Sequence, residues 1–174
     1  RLDRLTSGIV LAALSREGLQ MVNKPYLENH IAKDYLCIVH GKTDKAGEIT
    51  VPLGSRKERH KGEDRIEDCH TEYERLAIGT AVSLLRVRLH TGRQHQIRRH
   101  MKEIGHPVVA DPRYGHRRKD ERLPRQARKQ GLMLHSWKLS HALEIALPPL
   151  LLAKVPDRFT KVLHVCGIEN ASID

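Results

Sequence analysis

The chain opens on a carboxylate fenced by arginines, in Arg1-Leu2-Asp3-Arg4-Leu5-Thr6-Ser7-Gly8. About ninety residues later comes a dense run of donors, His90-Thr91-Gly92-Arg93-Gln94-His95-Gln96-Ile97-Arg98-Arg99-His100, followed by Gly105-His106-Pro107 and Asp111-Pro112-Arg113-Tyr114-Gly115. Opposite charge favours the ionised form of a carboxyl group, so Arg1 and Arg4 keep Asp3 charged. Such a carboxylate can hold a geometry, or it can attack an electrophilic sugar carbon as glycosidases do. The same residues also fit a purely structural Asp–Arg pair in a loop. Together the two segments describe a site for a polyanion in which one acid does chemistry.

Arg98 is the natural partner for Asp3. It lies beside the apolar stripe Ile97, Met101 and Ile104, at the border between the buried and exposed faces of a helix, where a guanidinium can reach a carboxylate with fork geometry. His95 and Arg99 are four apart and share a face, which makes them phosphate or base-edge candidates; a solvated basic helix face fits them equally. His90, His95, His100 and His106 do not stack on one helix face, and no HExxH or CxxC spacing occurs, so no metal is expected. GxSxG and Walker A patterns are absent, which removes support for acyl transfer and NTP hydrolysis. A hydrolase of the retaining glycosidase type lacks a second suitably placed carboxylate.

Several elements must position these groups. The apolar run Ile9–Leu14 reads as a buried strand, followed by a short helical stretch around Glu17–Asn23. Tyr35-Leu36-Cys37-Ile38-Val39 is apolar on both alternating faces, which places it centrally in a sheet ending at Gly41. Residues 42–70 predict a strand or two and then a mobile charged loop over Ser55–Asp68. Thr71–Leu76 and Thr80–Leu89 form a strand pair turning at Gly79, with Arg86 and Arg88 on the outward face. Thr91 and Gln94 fit a capping box for the next helix, which Gly105 and Pro107 terminate. Strands at Met133–Leu139 and near Glu144–Leu147 precede a Pro-flanked helix from Leu150. The mixture is α+β with a largely antiparallel sheet.

Composition narrows the partner. The net charge is +10, and residues 113–129 carry eight Lys or Arg against two acids. A concentrated basic surface favours nucleic acid, because Lys and Arg displace counterions from phosphates. Six aromatic residues are few for a stacking platform. Three widely spaced cysteines argue against a disulfide framework and fit a reducing cytoplasm; no apolar run reaches the length of a membrane span. The 174 residues suit one domain over 1–174, and a chain that opens on Arg1 inside a functional loop reads as lacking its natural N-terminus.

Five segments in order resemble the RluA-type pseudouridine synthases over nearly the whole length. They are RLDRLTSG, Lys33-Asp34-Tyr35 through Val39-His40-Gly41, TGRQHQIRRH, Gly105-His106-Pro107 with Asp111-Pro112-Arg113-Tyr114-Gly115, and Leu134-His135. The resemblance implies a pseudouridine-synthase fold, a mixed, mostly antiparallel sheet with flanking helices and a central RNA-binding cleft, needing no metal or cofactor. It implies isomerisation of a uridine in tRNA or rRNA to pseudouridine. Asp3 is then the essential acid, acting on the ribose; Tyr35 stacks on the base and assists proton removal at C5. Arg98 pairs with Asp3, and Ile97 packs against the base. Arg1, Arg4, Arg93, His95, Arg99 and Arg113 are the expected RNA contacts. A catalytically silent RNA-binding or RNA-chaperone protein that kept the fold is the alternative. Three departures stand out: Ala110 replaces a common glycine, Asn23–Ala32 is atypical, and residues 116–131 form an enlarged basic insertion.

Overall fold

The computed structural model describes residues 2–28, 30–54, 66–145, 147–169, 171 and 173. In chain order the elements are β1 (Ser7–Gly8), α1 (Arg16–Leu27), β2 (Ala32–His40), β3 (Ala46–Ile49), β4 (Leu53–Gly54), β5 (Ile66–Glu67), β6 (Thr71–Ile78) and β7 (Val82–Leu89). The second half holds α2 (Gln96–Glu103), α3 (Arg117–Arg122), α4 (Arg125–Arg128), β8 (Leu134–Ser140), β9 (Leu150–Leu152) and α5 (Asp157–Val165). Seven strands form one sheet in the order β1-β8-β2-β7-β6-β3, with β9 also on β8, while β4 and β5 pair as a separate ribbon. Every pairing is antiparallel except β1 with β8.

The central position of β2 follows from its residues. Leu36, Cys37, Ile38 and Val39 are all fully buried, so both faces of this strand are covered. Its neighbour β7 contributes Val82, Leu84, Leu85 and Val87, also fully buried. Met101 of α2 and Phe159, Val162 and Leu163 of α5 complete the core with Leu132, Met133 and Leu134. Ile97 and Met101 of the stripe are buried and Ile104 is partly buried against the same core, and Gly105 closes the helix with a φ of +80°.

Several expectations are corrected. Ile9–Leu14 is not a strand: β1 stops at Gly8, and Val10 and Leu14 are exposed. The helix after it starts at Arg16, where Ser15 caps it by accepting from the Gly18 N–H and Glu17 favours its first turn, and it runs on past the expected Asn23 to Leu27. Thr91 and Gln94 form no capping box. The α2 helix starts at Gln96, whose own side chain accepts from Thr91 Oγ1 (2.8 Å) and the Arg93 N–H (2.9 Å). Residues 144–147 form no strand among those described, and Leu150 begins β9 rather than a helix, which starts only at Asp157. Of the expected loop Ser55–Asp68, residues 55–65 lie outside the described residues, and Ile66–Glu67 pair with β4.

Candidate active site

Three segments distant in sequence meet at the N-terminal end of α2. The first carries Asp3. A turn closes when the Thr6 N–H donates to the Asp3 carbonyl (2.9 Å), and the chain then enters β1 against His135 and Ser136. Ser7 Oγ fixes this entry, 2.8 Å from His135 Nδ1 and accepting from Arg158 Nη2 at 2.7 Å. Gly8 has a φ of +110°, and a side-chain carbon there would run into the Ser136 carbonyl, so only glycine fits. The local sequence Thr6-Ser7-Gly8 thus suspends the acid from β8.

The second segment is the loop into α2. Gln96 is buried and uses its whole amide: besides the two bonds it accepts, it donates to the His70 carbonyl (3.0 Å) and Thr71 Oγ1 (2.9 Å). His100 spans from Thr71 Oγ1 to the Val51 carbonyl, at 2.9 Å each. The carbonyl can only accept, so Nε2 carries the proton. These buried polar residues hold the helix and aim Arg98. Arg98 Nη1 donates to Asp3 Oδ2 at 3.0 Å, and Nε and Nη2 donate to Asp111 at 2.7 and 2.8 Å.

The third segment is the turn at Asp111, which sequence reasoning did not assign as the partner of Arg98. Its carboxylate also accepts from the N–H groups of Arg113 (2.9 Å) and Tyr114 (3.0 Å). The side chain of Asp111 is 0% exposed, against 23% for Asp3. Burial opposes charge on Asp111, but Arg98 and the two backbone donors outweigh it and hold its carboxyl below the usual range. Burial likewise opposes charge on Arg98, and its bonds to Asp111 and Asp3 overturn that, lifting it above the ordinary arginine value. Asp111 therefore anchors the guanidinium from behind, while Asp3 meets it from the cleft. A local signal existed in the Asp-Pro-Arg-Tyr pattern, since an Asp that accepts from the backbone two and three residues on makes a turn. The long-range bond to Arg98 had none.

The cleft is lined by Leu2, Asp3, Tyr26, Lys33, Tyr35, His95, Ile97, Arg98 and Leu134 among others, with a cavity volume of about 100 Å³. Tyr35 lies on β2, and burial first, then Tyr26 and Asp3, push its phenol up to about 12 against a lowering bond to Ser136. It is a neutral ring at physiological pH. Tyr26 and Lys33 are additional wall residues, with the Lys33 ammonium 4.6 Å from the Tyr26 ring centre. Burial lowers the Lys33 ammonium below its ordinary value. His95 caps α2 in the left-handed region, with a φ of 56°, a strained conformation for a non-glycine residue. Its Nδ1 lies 2.9 Å from Tyr114 Oη and its Nε2 3.6 Å from Asp3 Oδ1. Burial, with Arg98 and Arg113, pulls it below the usual histidine value despite Asp3 and Asp111.

The expected RNA contacts divide. His95 and Ile97 face the cleft; Arg93 also lines it but pairs with Glu67 at 3.2 Å. Arg113 packs over the Tyr114 ring (5.3 Å), and Arg4 is exposed rather than bonded to Asp3. Arg99 turns away from His95 and donates to the Gly54 carbonyl (3.2 Å), because the left-handed cap breaks the helical face they were expected to share. Arg1 lies outside the described residues. Arg86 and Arg88 are not a bare basic face: Arg86 meets Glu74 at 2.7 Å and Arg88 forks onto the buried Asp34 at 2.8 Å.

The family model described as RNA pseudouridylate synthase matches residues 1–103. The chain belongs to that family. Among curated pseudouridine synthases it is similar to tRNA pseudouridine synthase C of Haemophilus ducreyi, 33% identical over 151 residues that cover 78% of this chain and 62% of the relative. The enzyme of the same name from Pasteurella multocida is 35% identical over 155 residues, covering 80% and 64%. Ribosomal large subunit pseudouridine synthase D of Nitrosomonas europaea is 35% identical over 150 residues, covering 80% and 42%. The chain thus spans less than two thirds of the length of these relatives. The solved structure of human RNA Pseudouridylate Synthase Domain Containing 1 superposes with a TM-score of 0.69 at 24% identity, over 96% of this chain and 79% of that one. The expected pseudouridine-synthase fold, α+β with a mostly antiparallel sheet, is therefore the observed one.

Proposed function

We propose that this pseudouridine synthase domain isomerises uridine to pseudouridine in a structured tRNA or rRNA. The observation that carries the reading is the Asp3–Arg98–Asp111 relay. It leaves one carboxylate partly exposed in a cleft walled by a neutral tyrosine ring and Ile97. The reaction is an isomerisation: the N1–C1′ bond breaks, the uracil turns, C5 bonds to C1′, and the C5 proton is replaced by one at N1. Asp3 acts on the ribose, by attack at C1′ or by removal of the 2′ proton. Arg98 holds it oriented through a hydrogen bond of 3.0 Å, Tyr35 presents its ring face to the base, and Ile97 packs the other side.

A uracil stacked in a helix cannot reach Asp3, so the nucleotide must be flipped out at a cost of a few kcal/mol. Phosphate contacts from Arg4, Arg113 and the basic helices α3 and α4 offset that cost. Three buried, unpaired cysteines and the absence, among the described residues, of any helix long and apolar enough to cross a membrane support a cytoplasmic site of action. Hydrolysis has less support, because the other carboxylate at hand, Asp111, is enclosed and forked onto Arg98.

The test is tritium release from tRNA and rRNA carrying uridine tritiated at C5, with wild type and Asp3→Asn in parallel. Release by wild type alone supports the reading and names the RNA class. Tight, salt-sensitive binding with no release from either RNA would favour the catalytically silent RNA-binding protein.

A further inference from the structure

On the sheet face near the start of β6, four side chains converge that the cleft does not use. The β6–β7 register continues past Thr71 and Leu89 to set His70 opposite His90, whose N–H donates to the His70 carbonyl at 3.2 Å. Glu72 follows two residues after His70, so it lies on the same face. Glu48 of β3 sits directly opposite Glu72. The histidine spacing along the chain gave no hint of this group, because it is assembled across strands rather than along a helix.

The donor atoms are close-set. His90 Nε2 is 2.9 Å from Glu72 Oε1, His70 Nε2 is 3.5 Å from Glu48 Oε2, and His70 Nε2 is 3.9 Å from Glu72 Oε1. The donor atoms of His70, Glu72 and His90 all lie within 4.8 Å of one another. A tetrahedral zinc site with bonds of about 2.0–2.1 Å sets its ligand atoms roughly 3.4 Å apart, which falls in the middle of these separations. The two imidazole rings stack face to face at 4.2 Å, so one must turn for both Nε2 lone pairs to meet a single ion, and two further observations favour a cation there. Both Nε2 atoms are occluded from solvent and lack a hydrogen-bond partner, although a carboxylate oxygen is near each. Two carboxylates face one another across β3 and β6, an arrangement that like-charge repulsion disfavours. The neighbouring guanidinium of Arg88 gives its fork to Asp34.

From this arrangement we infer that His70, Glu72 and His90, with Glu48 as fourth ligand, bind a divalent transition metal of the zinc class. Two imidazole nitrogens exclude magnesium and calcium as the preferred ions, and two carboxylates balance a charge of +2. The ion would be a strap, tying β3, β6 and β7 together beside the active-site loop. The backbone N–H of His70 donates to Thr91 Oγ1 (2.9 Å), and the His70 carbonyl accepts from Gln96, so the second shell of the site runs into the start of α2.

The experiment is calorimetric titration of chelator-treated protein with Zn²⁺, beside Mg²⁺, for wild type, His70→Gln, His90→Gln and the double variant. The inference expects one equivalent of Zn²⁺ held at micromolar affinity or better, no comparable Mg²⁺ binding, and at least tenfold weaker Zn²⁺ binding in each variant. Zn²⁺ binding equal in wild type and the double variant would mean an adventitious ion on other histidines, and would overturn it. Should a variant fail to fold, nitrogen-15 spectra of the wild-type imidazoles settle the matter. The Nε2 resonances of His70 and His90 must shift together on adding one equivalent, and unmoved resonances count against the site. Neither readout depends on turnover.

Discussion

Replacing Asp111 by Asn probes the relay at its buried end. Wild-type Asp111 accepts four hydrogen bonds, from Arg98 Nε, Arg98 Nη2 and the N–H groups of Arg113 and Tyr114. Asn keeps one oxygen for the backbone donors but turns an NH₂ toward a guanidinium donor. The loss includes one charge-assisted hydrogen bond, worth about 1.5–3 kcal/mol. Breaking a buried ion pair outright costs about 3–5 kcal/mol, and here Asp3 still contacts Arg98, which offsets part of it. The expected cost is therefore about 3 kcal/mol, or roughly a hundredfold in the folding constant. Asp3→Asn, at a partly exposed group with a single guanidinium bond, should cost about 1 kcal/mol or less. Urea unfolding at neutral pH compares the two through their midpoints at constant slope. A second signature lies in acid. The folded-state value of Asp111 is depressed, so its contribution is fully present above the unfolded value, about 3.9, and is lost as pH falls through the depressed one. The variant should lack that segment of the stability profile. An Asp111→Asn cost within 1 kcal/mol of zero, or one smaller than that of Asp3→Asn, would refute the anchoring role.

Gly8→Ala should cost about 2–3 kcal/mol in thermal or urea unfolding and depress turnover, because φ is +110° and the Ser136 carbonyl blocks the new carbon. Ala110, with a φ of 54°, occupies a backbone conformation that glycine adopts freely; Ala110→Gly should raise stability by about 0.5–1 kcal/mol in the same assay. The basic insertion is moored by Asp120, which accepts from the Ala110 N–H (3.0 Å) and lies 2.8 Å from His40 Nε2. Arg125→Gln with Arg128→Gln should leave unfolding unchanged and flatten the salt dependence of RNA binding by roughly one logarithmic unit or more. Tyr35→Phe should keep RNA affinity within about threefold, whereas Tyr35→Ala, by filter binding, should lose about 1–3 kcal/mol of stacking.

Elements with a strong internal period were legible. The Ile97–Met101–Ile104 stripe and the doubly apolar β2 each announce their partners through burial on defined faces. Asp3, Arg98, Tyr35 and Ile97 were grouped by the resemblance rather than by spacing, and the fold brings them to one cleft. The run Ile9–Leu14 misleads because an apolar run says that something should cover it, not what. Here it helps line an apolar cavity of about 480 Å³ with Leu19 and Val22 of α1, which shares Leu2, Tyr26 and Tyr35 with the cleft, and among the described residues its backbone bonds only through the Ile9 N–H to Ser136. The strand at Leu150–Leu152 was misplaced because it exists only where β8 offers a free edge, at Lys138–Ser140. Asp111 and the His70–His90 pair were missed for the same reason: their partners are set by register and docking, and local spacing does not encode them.

The two-residue pairing of β1 with β8 has a consequence for how the protein fails. The proposed catalytic acid hangs from an element secured by two paired residues, the Ile9 N–H bond and the Ser7 bridge to His135 and Arg158, whereas Arg98 rides on a helix with a fully buried core face. Segments with few backbone bonds open locally at much lower free energy than the core. On warming, Asp3 should depart while the sheet remains intact, so that loss of the competent geometry is a reversible detachment of one short limb, well below the temperature at which the fold itself gives way.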